Sequence, residues 1–150
     1  MTNFMNRSRL VALSGILAFA TLATACAGND AKVAGPAKAT AALNEWSVKL
    51  SSTTFKPGKY SFTISNDGKA EHELIAVKTD LPLANLPLKA DGGVNEESPA
   101  LPNATDGDDI LVGKSQVRTI DLTAPGSYVF MCNLPAHFKQ GMHEVITVTA

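Results

Sequence analysis

"YVFMCNLPAHFKQGM", residues 128–142, decides how this chain is read. It opens on five apolar and aromatic residues that read as a strand, in which Met131 points to the face opposite Cys132. It then sets Cys132, His137 and Met142 at even intervals, Cys-x4-His-x4-Met. The whole chain has only two cysteines, three histidines and four methionines. Three soft or borderline metal donors in one short loop at a strand end are therefore a concentration, not background.

Outward from this loop the chain alternates apolar and polar residues. Trp46, Val48 and Leu50 share one face, as do Tyr60, Phe62 and Ile64 after "KPGK". "SNDG" (65–68) is a turn, with Asp67-Gly68 tolerating positive φ. "HELIAV" (72–77), "VRTIDL" (117–122) and "EVITVT" (144–149) read as further strands, and "APGS" (124–127) as another turn. Many short strands with turn signals and no long helical period predict an antiparallel β-sandwich. Residues 79–110 break the rhythm with Pro82, Pro87, Pro99, Pro102 and Gly92-Gly93. Between Lys89 and Lys114 stand six acids: Asp91, Glu96, Glu97, Asp106, Asp108 and Asp109. This segment is too long for a hairpin loop and too rich in proline for a central strand. It is expected to be a solvated insertion crossing between sheets, with an acidic docking surface as the alternative.

The two ends of the chain differ in charge. Residues 1–42 carry a net +3 and residues 43–150 a net −4, giving the formal total of −1. A mildly acidic domain lacks the basic footprint that nucleic acid requires. Arg7 and Arg9 precede "LVALSGILAFATL" (10–22), an apolar run shorter than a spanning helix. "ATAC" follows. Residues 1–25 are expected to be an export signal, cut by ordinary signal peptidase after Ala25 or read as a lipobox with Cys26 lipidated. The stretch resembles a bacterial lipoprotein signal, with Ala23 where such boxes usually carry Leu. Residues 26–42, small and polar, read as a flexible linker, and residues 43–150 as the folded domain. With Cys26 lipidated, Cys132 is a lone thiol in an oxidising compartment, a liability unless a metal occupies it.

Thiolate and imidazole suit zinc, copper and iron, whereas a thioether serves copper as a weak axial donor. Two histidines, one cysteine and a long axial methionine make a blue-copper site. The loop supplies three of these donors. For the fourth, His143 adjoins Met142, and neighbouring side chains in an extended segment point apart. His72, from a distant strand, is the better ligand. At these residues a resemblance becomes specific. "YVFMCNLPAHFKQGM" followed by "ITV" resembles the carboxy-terminal signature of the cupredoxins, with the x4/x4 spacing of the auracyanin and rusticyanin branch. "SNDGKAEHELIAV" (65–77) resembles the segment carrying their first histidine. The resemblance implies a Greek-key β-sandwich binding one copper ion through His72, Cys132, His137 and Met142. Two positions depart from the family. Ala136 stands where related loops often have Gly, so a positive φ there would strain it. Glu73 replaces the Asn that often follows the first histidine.

The expected function is that of an electron carrier cycling between Cu(I) and Cu(II) outside the cytoplasm. Four protein ligands leave no open position for substrate, which argues against an enzyme. By resemblance His137 is the electron port, with Pro135, Ala136, Phe138 and Met142 as its apolar surroundings. The partners would be redox proteins, either cytochromes or membrane oxidoreductases, together with the membrane through a lipid anchor. The protein itself is expected to be a monomer. The alternative is a copper storage or delivery protein using the same ligands. A structural zinc site of Cys132, His72 and His137 would leave Met142 unexplained.

Overall fold

A computed structural model describes residues 35–150. The signal expected over residues 1–25, Cys26 and the first part of the linker lie outside the described residues. The strands are β1 (Ala37–Asn44), β2 (Ser47–Leu50), β3 (Thr54–Phe55), β4 (Lys59–Asn66), β5 (Ile75–Lys78), β6 (Ser115–Asp121), β7 (Gly126–Met131) and β8 (His143–Val148). They form two sheets, in the orders β2-β1-β4-β6 and β3-β8-β7-β5. Among the described residues no helix is long and apolar enough to cross a membrane.

The expected all-β sandwich is present, with two corrections. The first concerns the amino-terminal edge. β1 begins at Ala37, inside the stretch 26–42 expected to be linker. Ala39, Ala41 and Leu43 alternate inward and are buried. Alanine carries little hydrophobic signal, so the period of two was invisible in composition. The second concerns pairing. β1 runs parallel to β4, from Ala37 opposite Tyr60 to Leu43 opposite Asn66, and β3 runs parallel to β8. The sheets are therefore mixed rather than antiparallel.

The side-chain alternation of β7 shows where the core sits. Tyr128, Phe130 and the following Cys132 face inward, among Phe62, Ile64, Ile120, Ile146 and Val148. Val129 and Met131 face outward with Ile75 and Val77, and they too are buried. Their cover is the segment 79–110, which sends Leu86, Val94 and Leu101 onto the outer face of the second sheet. The segment does cross as expected, from β5 in one sheet to β6 in the other, but the expectation that it is merely solvated is wrong. A strand pair apolar on both faces needs a layer on each side, and burying each such side chain contributes about 1.5–3 kcal/mol. Leu86, Val94 and Leu101 follow no regular spacing among the prolines, so no periodicity disclosed them.

Several elements end together at one pole. β1 and β4 stop in register there, at Leu43 and Asn66. β7 ends and β8 begins there, because Met131 pairs with His143. The turns and loops at this pole carry the donor residues.

Candidate metal centre

The strand register sets the first pair of donors. Continuing the β7–β8 ladder by one step puts Cys132 opposite Met142, and the Cys132 N–H donates to the Met142 carbonyl at 3.1 Å. Directly opposed residues put their side chains on the same face, here the inner core, where both are buried. The intervening loop winds through tight turns, with the N–H of His137 bonded to Leu134 O at 3.0 Å and that of Gly141 to Phe138 O at 2.9 Å. The Met142 N–H then closes onto His137 O at 3.1 Å, swinging the imidazole back towards Cys132. His72 lies just ahead of β5 rather than within a strand. It is fixed by a bridge to Ile110, with N–H···O bonds of 3.2 and 2.6 Å in the two directions.

Three donor atoms converge. His137 Nδ1 is 3.1 Å from Cys132 Sγ and 3.3 Å from His72 Nδ1, and the third side, Cys132 Sγ to His72 Nδ1, is 4.0 Å. A triangle with these sides has a centre about 2 Å from all three atoms, the length of a metal bond to imidazole or thiolate. The residues present therefore fit a single metal ion. His143 is not in this group; its ring packs on Phe138 with centroids 5.1 Å apart.

The surroundings adjust each donor. Burial pushes the Cys132 thiol up, while N–H groups of Glu73 and Leu134 oppose that push. The Glu73 N–H reaches Sγ at 3.4 Å. Burial, and then the neighbouring His72, push His137 down, which keeps its ring neutral and its lone pair available. On the far side of His72, Glu45 Oε1 lies 3.3 Å from Nε2, although the angle is not that of an aligned hydrogen bond. Backbone N–H groups of Lys69 and Ala70 hold the Glu45 carboxyl down at about 2.

Glu73, which stands where the family often has Asn, bridges the two ligand segments. Its Oε1 accepts the Asn133 N–H at 3.0 Å and so ties the segment of His72 to that of Cys132. Burial and the nearby Glu96 push its carboxyl up. Asn133 in turn clasps the insertion, bonding the Val94 N–H, the Val94 carbonyl at 2.9 Å and the Glu96 carboxylate. The insertion also accepts the Ala136 N–H at Asp91 O, 2.9 Å away. Ala136 has φ 66°, the left-handed conformation that makes alanine strained.

The immediate neighbours of His137 differ from expectation. Pro135 and Ala136 are exposed beside it, but Phe138 and Met142 are buried. Their place is taken by Trp46, which is 39% exposed and meets the His137 ring edge-on at 4.9 Å. Trp46 comes from the β1–β2 turn rather than from the strand expected there. Nothing in its local sequence marks it as a neighbour of the loop.

The arrangement has counterparts among solved structures. Reduced auracyanin from Roseiflexus castenholzii is 25% identical, with a TM-score of 0.54 over 78% of this chain and 99% of that one. Auracyanin A from Chloroflexus aurantiacus, described as a "blue" copper protein, gives a TM-score of 0.52 at 16% identity over 77% of this chain and 100% of its own. Rusticyanin from Thiobacillus ferrooxidans gives 0.52 at 18% identity, covering 77% and 79%. At such identities the last two speak for the fold alone. A search of the curated proteins finds no match. Residues 36–149 match the family described as copper binding proteins, plastocyanin/azurin family. That span takes in both sheets and all the converging donors, so the chain belongs to this copper-binding family, the cupredoxins.

Proposed function

We propose that the protein is a type 1 copper electron carrier, in which His72, Cys132 and His137 would hold the copper most strongly and Met142 would be the weaker fourth donor. The observation that carries this reading is the donor triangle, two imidazole nitrogens and one thiolate around a point about 2 Å from each. Copper bound there supplies one-electron chemistry between Cu(I) and Cu(II). The chain's part is to keep the donors in one place for both states. His72 is anchored to Ile110, Cys132 to Met142, and the loop between them to the insertion through Asn133 and Ala136. Such bracing limits rearrangement on electron transfer.

His72, Cys132 and Met142 are buried, and only His137 reaches the surface in part. Enclosed donors favour a carrier over a catalyst. His137, flanked by exposed Trp46, Pro135 and Ala136, is the electron port, and a cytochrome or membrane oxidoreductase would dock there briefly. The sequence before residue 35 supports export, with a signal over 1–25 and a lipid on Cys26 holding the monomer at the membrane's outer side.

The test pairs two measurements on wild type and Met142→Gln. One is electron exchange with a small redox protein; the other is copper transfer to a chelator or copper-free acceptor. A carrier exchanges electrons fast and keeps its copper through many cycles. Its Met142→Gln variant keeps copper but shows a lower reduction potential, because an oxygen donor favours Cu(II). Rapid loss of Cu(I) with sluggish electron exchange would instead identify a storage or delivery protein.

A further inference from the structure

His72 has two ring nitrogens, and only Nδ1 joins the donor triangle. Nε2 is buried and has no aligned hydrogen-bond partner, yet Glu45 Oε1 lies 3.3 Å away. That same oxygen accepts the backbone N–H groups of Lys69 and Ala70, each at 2.7 Å. One carboxylate oxygen from the β1–β2 turn is therefore pinned by the turn after β4 and held against the back of the imidazole. Gly68 keeps the space open. A Cβ at that position would sit 2.7 Å from Glu45 Oε1 and 2.8 Å from His72 Nε2. Gly68 does not have a positive φ, so the site uses its missing side chain rather than its conformational freedom.

We infer that Glu45 is a positioning residue for the metal centre. It holds His72 with the proton on Nε2, which leaves the Nδ1 lone pair for the metal, and its charge favours Cu(II) over Cu(I). The inference rests on the reading of His72 as a ligand. A ligating imidazole whose other N–H faces a carboxylate is fixed in tautomer and ring orientation, and becomes a more basic ligand. A negative charge one ring-width behind the ligand stabilises the more highly charged ion. The Glu45 side chain is 26% exposed, so water screens part of this effect. Glu45 and His72 are far apart in sequence, and only the parallel β1–β4 pairing brings their turns together.

Two variants separate charge from anchoring. Glu45→Gln keeps an amide oxygen able to accept the Lys69 and Ala70 N–H groups and to face His72 Nε2, and removes only the charge. It is expected to bind copper with an unchanged type 1 spectrum. Its preference for Cu(I) over Cu(II) should rise about tenfold, a shift of about 59 mV upward in potential for one electron. Glu45→Ala removes the anchor as well. In the metal-free protein, ¹⁵N NMR of His72 should show the Nε2–H tautomer alone in wild type and a mixture in Glu45→Ala. Gly68→Ala should reproduce that mixture by displacing the carboxylate. An unchanged Cu(I)/Cu(II) preference in Glu45→Gln, or an unchanged His72 tautomer in Glu45→Ala, overturns the inference while leaving His72 a ligand. A His72→Ala variant that retains the wild-type copper spectrum overturns the ligand assignment, and the inference with it.

Discussion

Ala136→Gly should stabilise the protein, against the usual direction of an alanine-to-glycine change. Ala136 has φ 66° in the middle of the ligand loop. A residue with a Cβ in that conformation costs roughly 1–2 kcal/mol, and glycine does not incur this. Against it stands the greater freedom of glycine in the unfolded chain, about 0.4–1 kcal/mol. The methyl group is exposed, so its removal forfeits little packing. The backbone bonds from Ala136 N–H to Asp91 O and from Gln140 N–H to Ala136 O survive the change. The net gain is about 0.5–1 kcal/mol, or about 2–5 °C in Tm for a domain of this size. Urea unfolding of the metal-free protein is the suitable assay, because metal affinity then plays no part. Ala124→Gly is the control, since Ala124 is exposed and has no positive φ. It should lose about 0.4–1 kcal/mol. If Ala136→Gly loses as much as Ala124→Gly, the strain assigned to position 136 is absent and the argument fails.

Other consequences can be checked separately. Leu101→Ala should cost about 2–4 kcal/mol, because Leu101 is buried against the outer face of the second sheet; a cost near zero in urea unfolding would restore the solvated-insertion reading. Hydrogen bonds from Thr123 hold the Asp121 carboxyl below its usual 3.8. The stability this group adds is complete above that value and is lost as pH falls through the lower folded value. Asp121→Asn should accordingly flatten the acid limb of the stability–pH curve, and a limb identical to wild type would contradict this. Cys26→Ala should release the protein from membranes or block its processing; a native protein found freely soluble with Cys26 unmodified would favour plain cleavage.

What could be read from the sequence was local, or rested on a strong period. Cys132, His137 and Met142 lie within one loop, so their spacing carried the chemistry directly. That Met131 and Cys132 point to opposite faces of β7 followed from strand geometry alone, but which face meets the main core did not. The strain at Ala136 was also legible, because the glycine expected there was missing. What escaped depended on long-range pairing. β1 is built on alanines, and without β1 nothing predicts that its turn delivers Glu45 to His72 and Trp46 to His137. Leu86, Val94 and Leu101 lie among prolines and acids, where a solvent-exposed composition masked a second buried layer. Glu73 was recognised as a departure, but its bond to Asn133 required the geometry of the folded loop.

The central claim is that Cys132 binds copper as a thiolate within the His72–His137 triangle. Its most direct test adds one equivalent of Cu(II) to the metal-free protein and records the visible spectrum, for wild type and Cys132→Ser. Strong overlap between sulfur and copper predicts an intense blue or green charge-transfer band in wild type, and no such band in a folded Cys132→Ser variant. A colourless Cu(II) complex in the wild-type protein would contradict the account.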